Sequence, residues 1–304
     1  MWKKIKFELF FIRKLLKQGY GPRGFYRYFK NKFFGLYLLN KLPRYGSSRN
    51  DDFEIHVLTQ KSGLWMLVWA LRSFLYFSRL NPRIVVHDDG SIDAKTARLF
   101  ESKFTNLEVL RRRGADNLIA ARKDIPIHIK KYRQGKNVMI LALLDHLLLS
   151  KTNKIMVMDN DILFFDYPEE VVDFVKKKSQ YDSLILCSKA SPLTVDEAYL
   201  QKYNLREKRA ERLNSGLVLI NKEKMGLNKL IEYFQHTLDT EGHFIEQAGW
   251  SCLVAQTNFN FFPEDKYIVK GGVKNGVILK HFTSPRRHEM FAEGIDKVRK
   301  KLYE

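Results

Sequence analysis

The chain has 304 residues, of which 45% are hydrophobic and 29% charged, a balance typical of a folded protein with a buried core. Its formal net charge of +19 favours an anionic partner, such as a membrane surface, a nucleic acid or a phosphorylated substrate. The absence of any run of about 18 uncharged apolar residues argues against a membrane-spanning helix. The two cysteines, Cys187 and Cys252, have no metal-site spacing and make no disulfide framework, so a reducing, cytoplasmic compartment is expected.

Residues 1–50 are predicted to form a basic, amphipathic arm, and residues 51–304 a separate domain. Glu8 is the only acid before residue 50, and many lysines and arginines alternate there with aromatic and aliphatic residues. This composition suits a helix on the anionic inner face of a membrane, and equally a helical arm packed on the domain or on a partner subunit. The segment GSSRNDD (46–52) is expected to separate the arm from the domain.

Beyond the arm, short apolar runs alternate with stretches of helical length and periodicity. Strands are predicted at 53–59, 82–91, 106–112, 154–161, 181–188, 212–223, 258–263 and 276–283. Helices are predicted at 61–78, 94–104, in a long region ending with 137–150, and at 168–178, 226–239 and 246–256. The alternation predicts an α/β fold, a single domain with a mostly parallel central sheet.

Two of the predicted strands end in acidic residues. Asp88 and Asp89 follow the second strand, and Asp159, Asn160 and Asp161 follow the fourth. Because the carboxyl ends of parallel strands meet at one edge of a sheet, both clusters are expected to face the crevice where such sheets bind ligands. Two carboxylates one residue apart suit a divalent cation such as Mg²⁺ or Mn²⁺, although Asp and Asn are also common in solvated turns.

With these motifs in this order, the sequence resembles the GT-A nucleotide-sugar glycosyltransferases over about residues 53–285. The likeness is to the family 8 group of glycogenin and the bacterial lipopolysaccharide galactosyltransferases. The family's Asp-X-Asp motif is matched by Asp159, Asn160 and Asp161, and its late histidine by His281 in LKHFTSPRR. The resemblance implies a Rossmann-like GT-A domain in which Asp159, Asp161 and His281 hold Mn²⁺ or Mg²⁺ on the donor pyrophosphate. Asn160 would then contact the nucleotide.

Two further motifs follow in the family's order. Asn214, Ser215 and Gly216 match an Asn-Ser-Gly strand start that lines the sugar site, and Glu246 with Gln247 matches an acid–Gln pair beside the reacting carbon. The resemblance implies that Asn214, Glu246 and Gln247 act at the reacting sugar and that Ser215 and Gly216 bind the donor. The pair has Glu where the family usually has Asp. Taken alone, Asn214 could also be a turn residue, and Glu246 an acid favoured by a helix dipole.

The nucleotide and phosphate contacts are matched less closely. Asp88 and Asp89 in HDDGS resemble the acidic nucleotide-binding turn of inverting GT-A enzymes. The first strand ends at Thr59 in LTQKSG, which assigns Thr59 to the donor site but lacks the family's uridine-contacting Asp. The last motif has Ser-Pro-Arg-Arg where the family usually has Gly with Lys-Pro-Trp. Its candidate phosphate contacts are Lys280, Arg286 and Arg287, since a guanidinium group binds phosphate bidentately.

The predicted function is metal-dependent transfer of a sugar from a nucleoside diphosphate-sugar, a UDP-sugar in particular, to a hydroxyl of a glycan or lipid-linked glycan. The acid–Gln resemblance implies retention of configuration; if configuration is inverted, Glu246 is the candidate base. The alternatives are a nucleic-acid-binding protein, which the charge suggests without any specific motif, and a catalytically silent protein with the GT-A fold. A nucleotidyltransferase also uses strand-end acids and a metal, but lacks the Asn-Ser-Gly and late-histidine combination.

Overall fold

The computed structural model describes residues 2–47 and 51–303. Its strands are, in chain order, β1 (Glu54–Thr59), β2 (Arg83–Asp88), β3 (Leu107–Leu110), β4 (Lys154–Met158), β5 (Ile162–Phe164), β6 (Ser183–Cys187), β7 (Leu213–Asn221), β8 (Phe259–Phe261), β9 (Tyr267–Ile268) and β10 (Leu279–His281). The central sheet has the order β3-β2-β1-β4-β7-β6-β8, and a smaller sheet has the order β5-β10-β9. In the central sheet every pairing is parallel except the two made by β7. The predicted α/β fold with a mostly parallel sheet is confirmed.

Helices cover both faces of the central sheet. They are α1 (Trp2–Lys17), α2 (Pro22–Phe33), α3 (Gly35–Asn40), α4 (Leu64–Ser78), α5 (Ala94–Glu101), α6 (Arg112–Ala121), α7 (Ile127–Gln134), α8 (Met139–Leu148), α9 (Glu169–Val175), α10 (Glu197–Lys202), α11 (Leu227–His236), α12 (Ile245–Val254), α13 (Arg287–Glu289) and α14 (Ile295–Tyr303). One π-helical segment, Met290–Gly294, joins α13 to α14. Successive residues of β4 point to opposite faces, so Met156 packs in a core with α4, whereas Ile155 packs in a second core with α8 and α12.

The acidic triplet is a turn between the two sheets. The predicted strand ends at Met158, three residues early, and β5 of the smaller sheet begins at Ile162. Strand β10 pairs antiparallel with β5 and sets His281 opposite Ile162. This pairing brings His281, distant in sequence, beside Asp161.

The long helical region predicted to end at residue 150 is three separate helices, α6, α7 and α8. Pro126 lies in an extended conformation before α7, and its ring cannot continue a preceding helix. Gly135 is extended after α7 and ends that helix. Helices α10 and α14 were not predicted from the sequence. Only Ile295 and Val298 of α14 are buried, which leaves a weak apolar pattern among its lysines.

The arm packs on the domain through one face. Phe11, Leu15 and Tyr28 are buried in the same core as α4, and the side chain of Asn31 donates a hydrogen bond of 2.8 Å to the carbonyl of Phe291. The division at residue 50 stays a prediction, and residues 48–50 of the predicted linker lie outside the described residues. Among the described residues, no helix is long and apolar enough to cross a membrane.

Candidate active site

A cleft of about 400 Å³ opens where β1, β2 and β4 end. Strand β7 runs in the opposite direction, so its first residues reach the same edge. The cleft is lined by most of the residues predicted for the site, namely Thr59, Asp89, Asp159, Asn160, Asp161, Asn214, Ser215, Glu246, Gln247, His281 and Arg287. The fold therefore gathers side chains from the end of β1 and from five separate sequence motifs at one edge.

Two carboxylates and an imidazole converge at the centre of the cleft. Nε2 of His281 lies 3.2 Å from Oδ2 of Asp159 and 3.1 Å from Oδ1 of Asp161. Asp161 and His281 are almost fully buried, whereas the side chain of Asp159 is 48% exposed. Burial by itself would lower the pKa of His281, but its hydrogen bonds with the two carboxylates raise the pKa to about 9. Nε2 of His281 therefore faces the negative charges of both aspartates.

These three residues fit a divalent metal ion. One potential ligand atom from each lies within 4.8 Å of the others, and Oδ1 of Asp161 is buried with Nε2 of His281, at 3.1 Å, as the polar atom that faces it. A buried carboxylate oxygen is costly unless a cation, here a metal ion or the protonated imidazole, satisfies it. Oxygen-rich ligand sets suit Mg²⁺ and Mn²⁺, and the added imidazole nitrogen favours Mn²⁺ of the two because Mg²⁺ is the harder ion.

Asn214 and Gly216 orient His281 from behind. Oδ1 of Asn214 lies 3.0 Å from Nδ1 of His281 and accepts a hydrogen bond from the amide of Gly216 at 3.1 Å. An oxygen acceptor at that position requires a hydrogen on Nδ1, so the lone pair of the neutral ring is on Nε2, toward the acids. A Cβ atom on Gly216 would lie 2.3 Å from the imidazole ring. Only glycine therefore leaves room for the histidine.

Arg287 supplies a positive charge at the rim of the cleft. Its Nε donates a hydrogen bond of 2.6 Å to Oδ2 of Asp161. Burial would raise the pKa of Asp161, but Arg287 and then His281 outweigh it and hold that pKa below its usual range. Asp161 is therefore ionised and can act as a ligand.

Thr59, Asn160 and Asp89 form the side of the cleft next to β1 and β2. Nδ2 of Asn160 donates to Oγ1 of Thr59 at 2.6 Å, which joins the acidic turn to the end of β1. A Cβ atom on Gly63 would lie 2.4 Å from Nδ2 of Asn160, so the residue before α4 must be small. Asp89 accepts a hydrogen bond from the amide of Ser91 at 3.0 Å and keeps its carboxylate at the cleft.

Glu246 and Gln247, in the first turn of α12, form the opposite wall. Glu246 is buried and accepts a hydrogen bond of 2.9 Å from the hydroxyl of Ser215. Burial, with a smaller contribution from Asp159, raises the pKa of Glu246 to about 8, so the carboxyl group holds its proton at pH 7. The side-chain amide of Gln247 makes no hydrogen bond with any described residue and is available to a ligand.

Four predicted site residues do not line the cleft. Oδ1 of Asp88 accepts hydrogen bonds from the amides of Gly90 and Ile92 and shapes the turn that presents Asp89. Lys280 precedes His281 on β10 and therefore points to the other face, where its ammonium group pairs with Glu289 at 2.6 Å. Gly216 lies behind His281, and Arg286 donates to the hydroxyl of Thr283 at 3.1 Å.

Several residues of the cleft were missed in the sequence analysis. Val138, just before the apolar helix α8, and Met139, its first residue, have the sequence pattern of core residues. His243 and Phe244 lie three and two residues before Glu246, and this proximity was a signal that could have identified them. Phe244 is 40% exposed, so the cleft offers an aromatic ring to a ligand.

Comparisons with known proteins support the fold. No family model matches the sequence, and no curated protein matches it significantly. The structure is similar to that of the galactosyltransferase LgtC, solved with donor and acceptor sugar analogues, with a TM-score of 0.52 and 14% identity over 82% of this chain and 95% of LgtC. An active-site mutant of LgtC gives a TM-score of 0.51 and 16% identity over 83% of this chain and 96% of the mutant chain.

The bifunctional glycosyltransferase WbbM gives a TM-score of 0.52 and 12% identity over 85% of this chain and 53% of WbbM. At such low identities the likeness establishes the fold alone. The chain has the GT-A fold and resembles LgtC.

Proposed function

We propose that the protein is a glycosyltransferase that uses a divalent metal ion to transfer a sugar from a nucleoside diphosphate-sugar to a hydroxyl group. The observation that carries this proposal is the convergence of Asp159, Asp161 and His281 in a cleft at the carboxyl edge of a GT-A sheet. Mn²⁺ or Mg²⁺ held by these three residues would act as a Lewis acid on the departing diphosphate.

Residues of the chain account for donor binding on either side of that cluster. Arg287 is the cationic side chain that lines the cleft beside the acids, and it suits a diphosphate oxygen. Thr59, Asn160 and Asp89 present hydroxyl, amide and carboxylate groups to a nucleoside, which is a uridine in our proposal. A UDP-sugar would therefore lie with its diphosphate beside the acidic turn and Arg287.

The sugar would face Gln247, whose free amide can orient the ring by hydrogen bonding. We propose retention of configuration, because an inverting enzyme needs a base for the acceptor proton and Glu246 is protonated at pH 7. A cation on Asp159 would offset one cause of the raised pKa, but burial is the larger cause and would persist. Glu246 can instead donate a hydrogen bond from its carboxyl group.

The acceptor in our proposal is a glycan or lipid-linked glycan. Phe244 and Val138 are exposed at the cleft, and an aromatic ring beside polar groups suits the apolar face of a sugar ring. This aromatic and aliphatic lining supports the proposal that a sugar acceptor binds next to the donor.

Donor turnover and donor binding test the proposal together. The purified chain is incubated with a panel of nucleoside diphosphate sugars and Mn²⁺, and released nucleoside diphosphate is measured, while calorimetry measures UDP binding with and without Mn²⁺. We expect release with at least one donor, and UDP binding that depends on Mn²⁺. Asp161→Asn should lower release by about 100-fold or more, since metal stabilisation of the leaving group contributes several kcal/mol.

Asp166→Asn is the matched control, because Asp166 is an exposed aspartate outside the cleft and should keep the parent rate. Release of pyrophosphate instead of nucleoside diphosphate would assign a nucleotidyltransferase and overturn the proposal. If no nucleoside diphosphate is released and UDP does not bind in a Mn²⁺-dependent way, the protein is a catalytically silent GT-A protein and the proposal is wrong.

A further inference from the structure

The arm has a second face whose large apolar side chains are exposed to solvent. On α1, Phe11 and Leu15 are buried against the domain, whereas Leu9, Phe10 and Leu16 are 49%, 43% and 62% exposed. Apolar side chains of this size gain free energy when they leave water, so their exposure is unfavourable unless another surface covers them. The outward face of α1 is therefore apolar at positions where a surface helix usually carries polar residues.

The next two helices continue this pattern as an aromatic stripe, which we define as Tyr26, Phe29, Phe33 and Tyr37. Their exposed fractions are 67%, 40%, 57% and 60%. The spacing of three and four residues places Tyr26, Phe29 and Phe33 along one side of α2, and Tyr37 follows in α3. Of the sixteen large apolar side chains that are exposed among those the structure describes (residues 6, 8–47 and 51–303), eight lie between residues 9 and 37. The exposed apolar surface is thus concentrated on the arm, and such concentration marks an interaction site.

Positive charge is interleaved with these rings. Residues 1–47 contain twelve lysines and arginines and one acid, Glu8, whose carboxylate is already bound by Lys32 and Tyr28. The ammonium group of Lys41 lies 4.8 Å from the ring centre of Tyr37, and that of Lys30 lies 5.8 Å from the ring centre of Tyr26. Aromatic rings with adjacent ammonium groups suit the boundary between lipid headgroups and acyl chains.

We propose that this outward face of the arm docks on an anionic membrane surface. The apolar side chains would enter the headgroup boundary, and the lysines and arginines would pair with lipid phosphates. A second copy of the chain is a poor occupant, because two surfaces of the same strong positive charge repel each other. The phosphates of a nucleic acid would pair with the lysines and arginines, but a nucleic acid would not bury the aliphatic side chains of Leu9 and Leu16.

The arm also contacts the segment that carries Arg287. Lys14 donates to the carbonyl of Pro285 at 3.0 Å, and the side-chain amide of Gln18 donates to Glu289 at 3.1 Å. Oε1 of Gln18 lies 2.7 Å from Nε2 of His288. Docking of the arm would therefore hold the rim of the cleft at a set position relative to the bilayer, where a lipid-linked acceptor would be presented.

Vesicle sedimentation of the full-length chain tests the surface, without nucleotide or metal, so the result does not depend on sugar transfer. We expect binding to vesicles of phosphatidylcholine with 30% phosphatidylglycerol at least about tenfold tighter than to pure phosphatidylcholine, and weaker binding at high salt. The triple variant Phe29→Ser, Phe33→Ser, Tyr37→Ser should bind at least about tenfold more weakly than the parent.

The control triple variant is Tyr76→Ser, Leu118→Ser, Ile127→Ser, which removes three comparably exposed apolar side chains outside the arm and should bind as the parent does. Circular dichroism checks that both variants are folded. Equal binding to the two kinds of vesicle would overturn the proposal, as would parent-like binding by the stripe variant. If the parent binds no vesicle but dimerises or binds duplex DNA through the stripe, the occupant is a protein or a nucleic acid and the proposal is wrong.

Discussion

His281 and His146 are both buried, yet their surroundings shift their pKa values in opposite directions. Asp159 and Asp161 face His281 and raise its pKa to about 9, against the effect of burial. Among the described residues no acid shifts the pKa of His146; burial and then His56 lower that pKa well below the ordinary value. The side chains facing each imidazole, and not its burial alone, set its charge.

His146 belongs to an inner cluster, which we define as His56, His87 and His146. The rings of His87 and His146 are 4.8 Å apart, and Nδ1 of His56 lies 2.9 Å from Nε2 of His87. The carboxylate of Glu54 contacts His56 from the side away from His87, at 3.2 Å. This cluster lies between β1, β2 and α8 and does not line the cleft, whereas the group around His281 opens on it. Access to a ligand, more than an unusual pKa, separates a candidate active site from a structural cluster.

The largest effect that would sharpen this comparison is expected at Gly216. Gly216→Ala places a methyl group against the His281 ring and should displace it from the two carboxylates. Since residues that orient a metal ligand typically contribute 10- to 100-fold, we expect Mn²⁺ affinity and donor turnover to fall by about that factor. The control is Gly114→Ala, where the new methyl group meets only Leu110 at 3.6 Å. Parent-like Mn²⁺ affinity in Gly216→Ala would show that His281 is not a ligand.

A smaller effect, on stability, is expected at the inner cluster. Because His87 and His146 have lower pKa values folded than unfolded, the unfolded chain binds more protons below pH 6.5, and the free energy of unfolding falls as pH drops. The loss is about 1.4 kcal/mol for each histidine at pH 5.5. His146→Leu should reduce the loss between pH 7.5 and 5.5 by that amount in urea unfolding, because neither ring nitrogen has a hydrogen bond to lose.

His243→Leu, which removes an exposed imidazole, is the control and should leave the pH dependence of unfolding unchanged. A His146→Leu curve that matches the parent at both pH values would mean that His146 takes up a proton without unfolding the chain. The distinction between the two clusters would then fail.

The smallest effect is expected at Arg286, which marks where the cleft ends. Its guanidinium group contacts Thr283 and does not line the cleft, whereas the neighbouring Arg287 contacts Asp161. Arg286→Ala should change the KM for the donor by less than about twofold, and Arg287→Ala should raise it by about tenfold, the range of one charged hydrogen bond. Equal effects of the two substitutions would place both side chains on the donor.

The sequence predicted the α/β fold and most of the side chains at the cleft, because strand periodicity and the acidic and Asn-Ser-Gly motifs are local signals. Other features depend on contacts between distant residues. Nothing local shows that β10 pairs with β5, or that Lys280 consequently points away from His281. The position of Val138 at the cleft could not be predicted either, because an apolar residue beside an apolar helix has the sequence pattern of a core residue. For the arm, the composition fitted both packing on the domain and contact with a membrane. In the structure one face of its helices packs on the domain, and the other face is exposed.

The turn at residues 159–161 lies where the two sheets meet. The amide of Asp159 donates to the carbonyl of Gly216 in the central sheet at 2.9 Å, and the carbonyl of Asp161 accepts from the amide of Phe282, next to the smaller sheet, at 2.7 Å. An ion bound to Asp159, Asp161 and His281 would therefore cross-link the two sheets, and its binding free energy would add to the stability of the folded chain. Melting temperature would then report occupancy of the site even with no acceptor known.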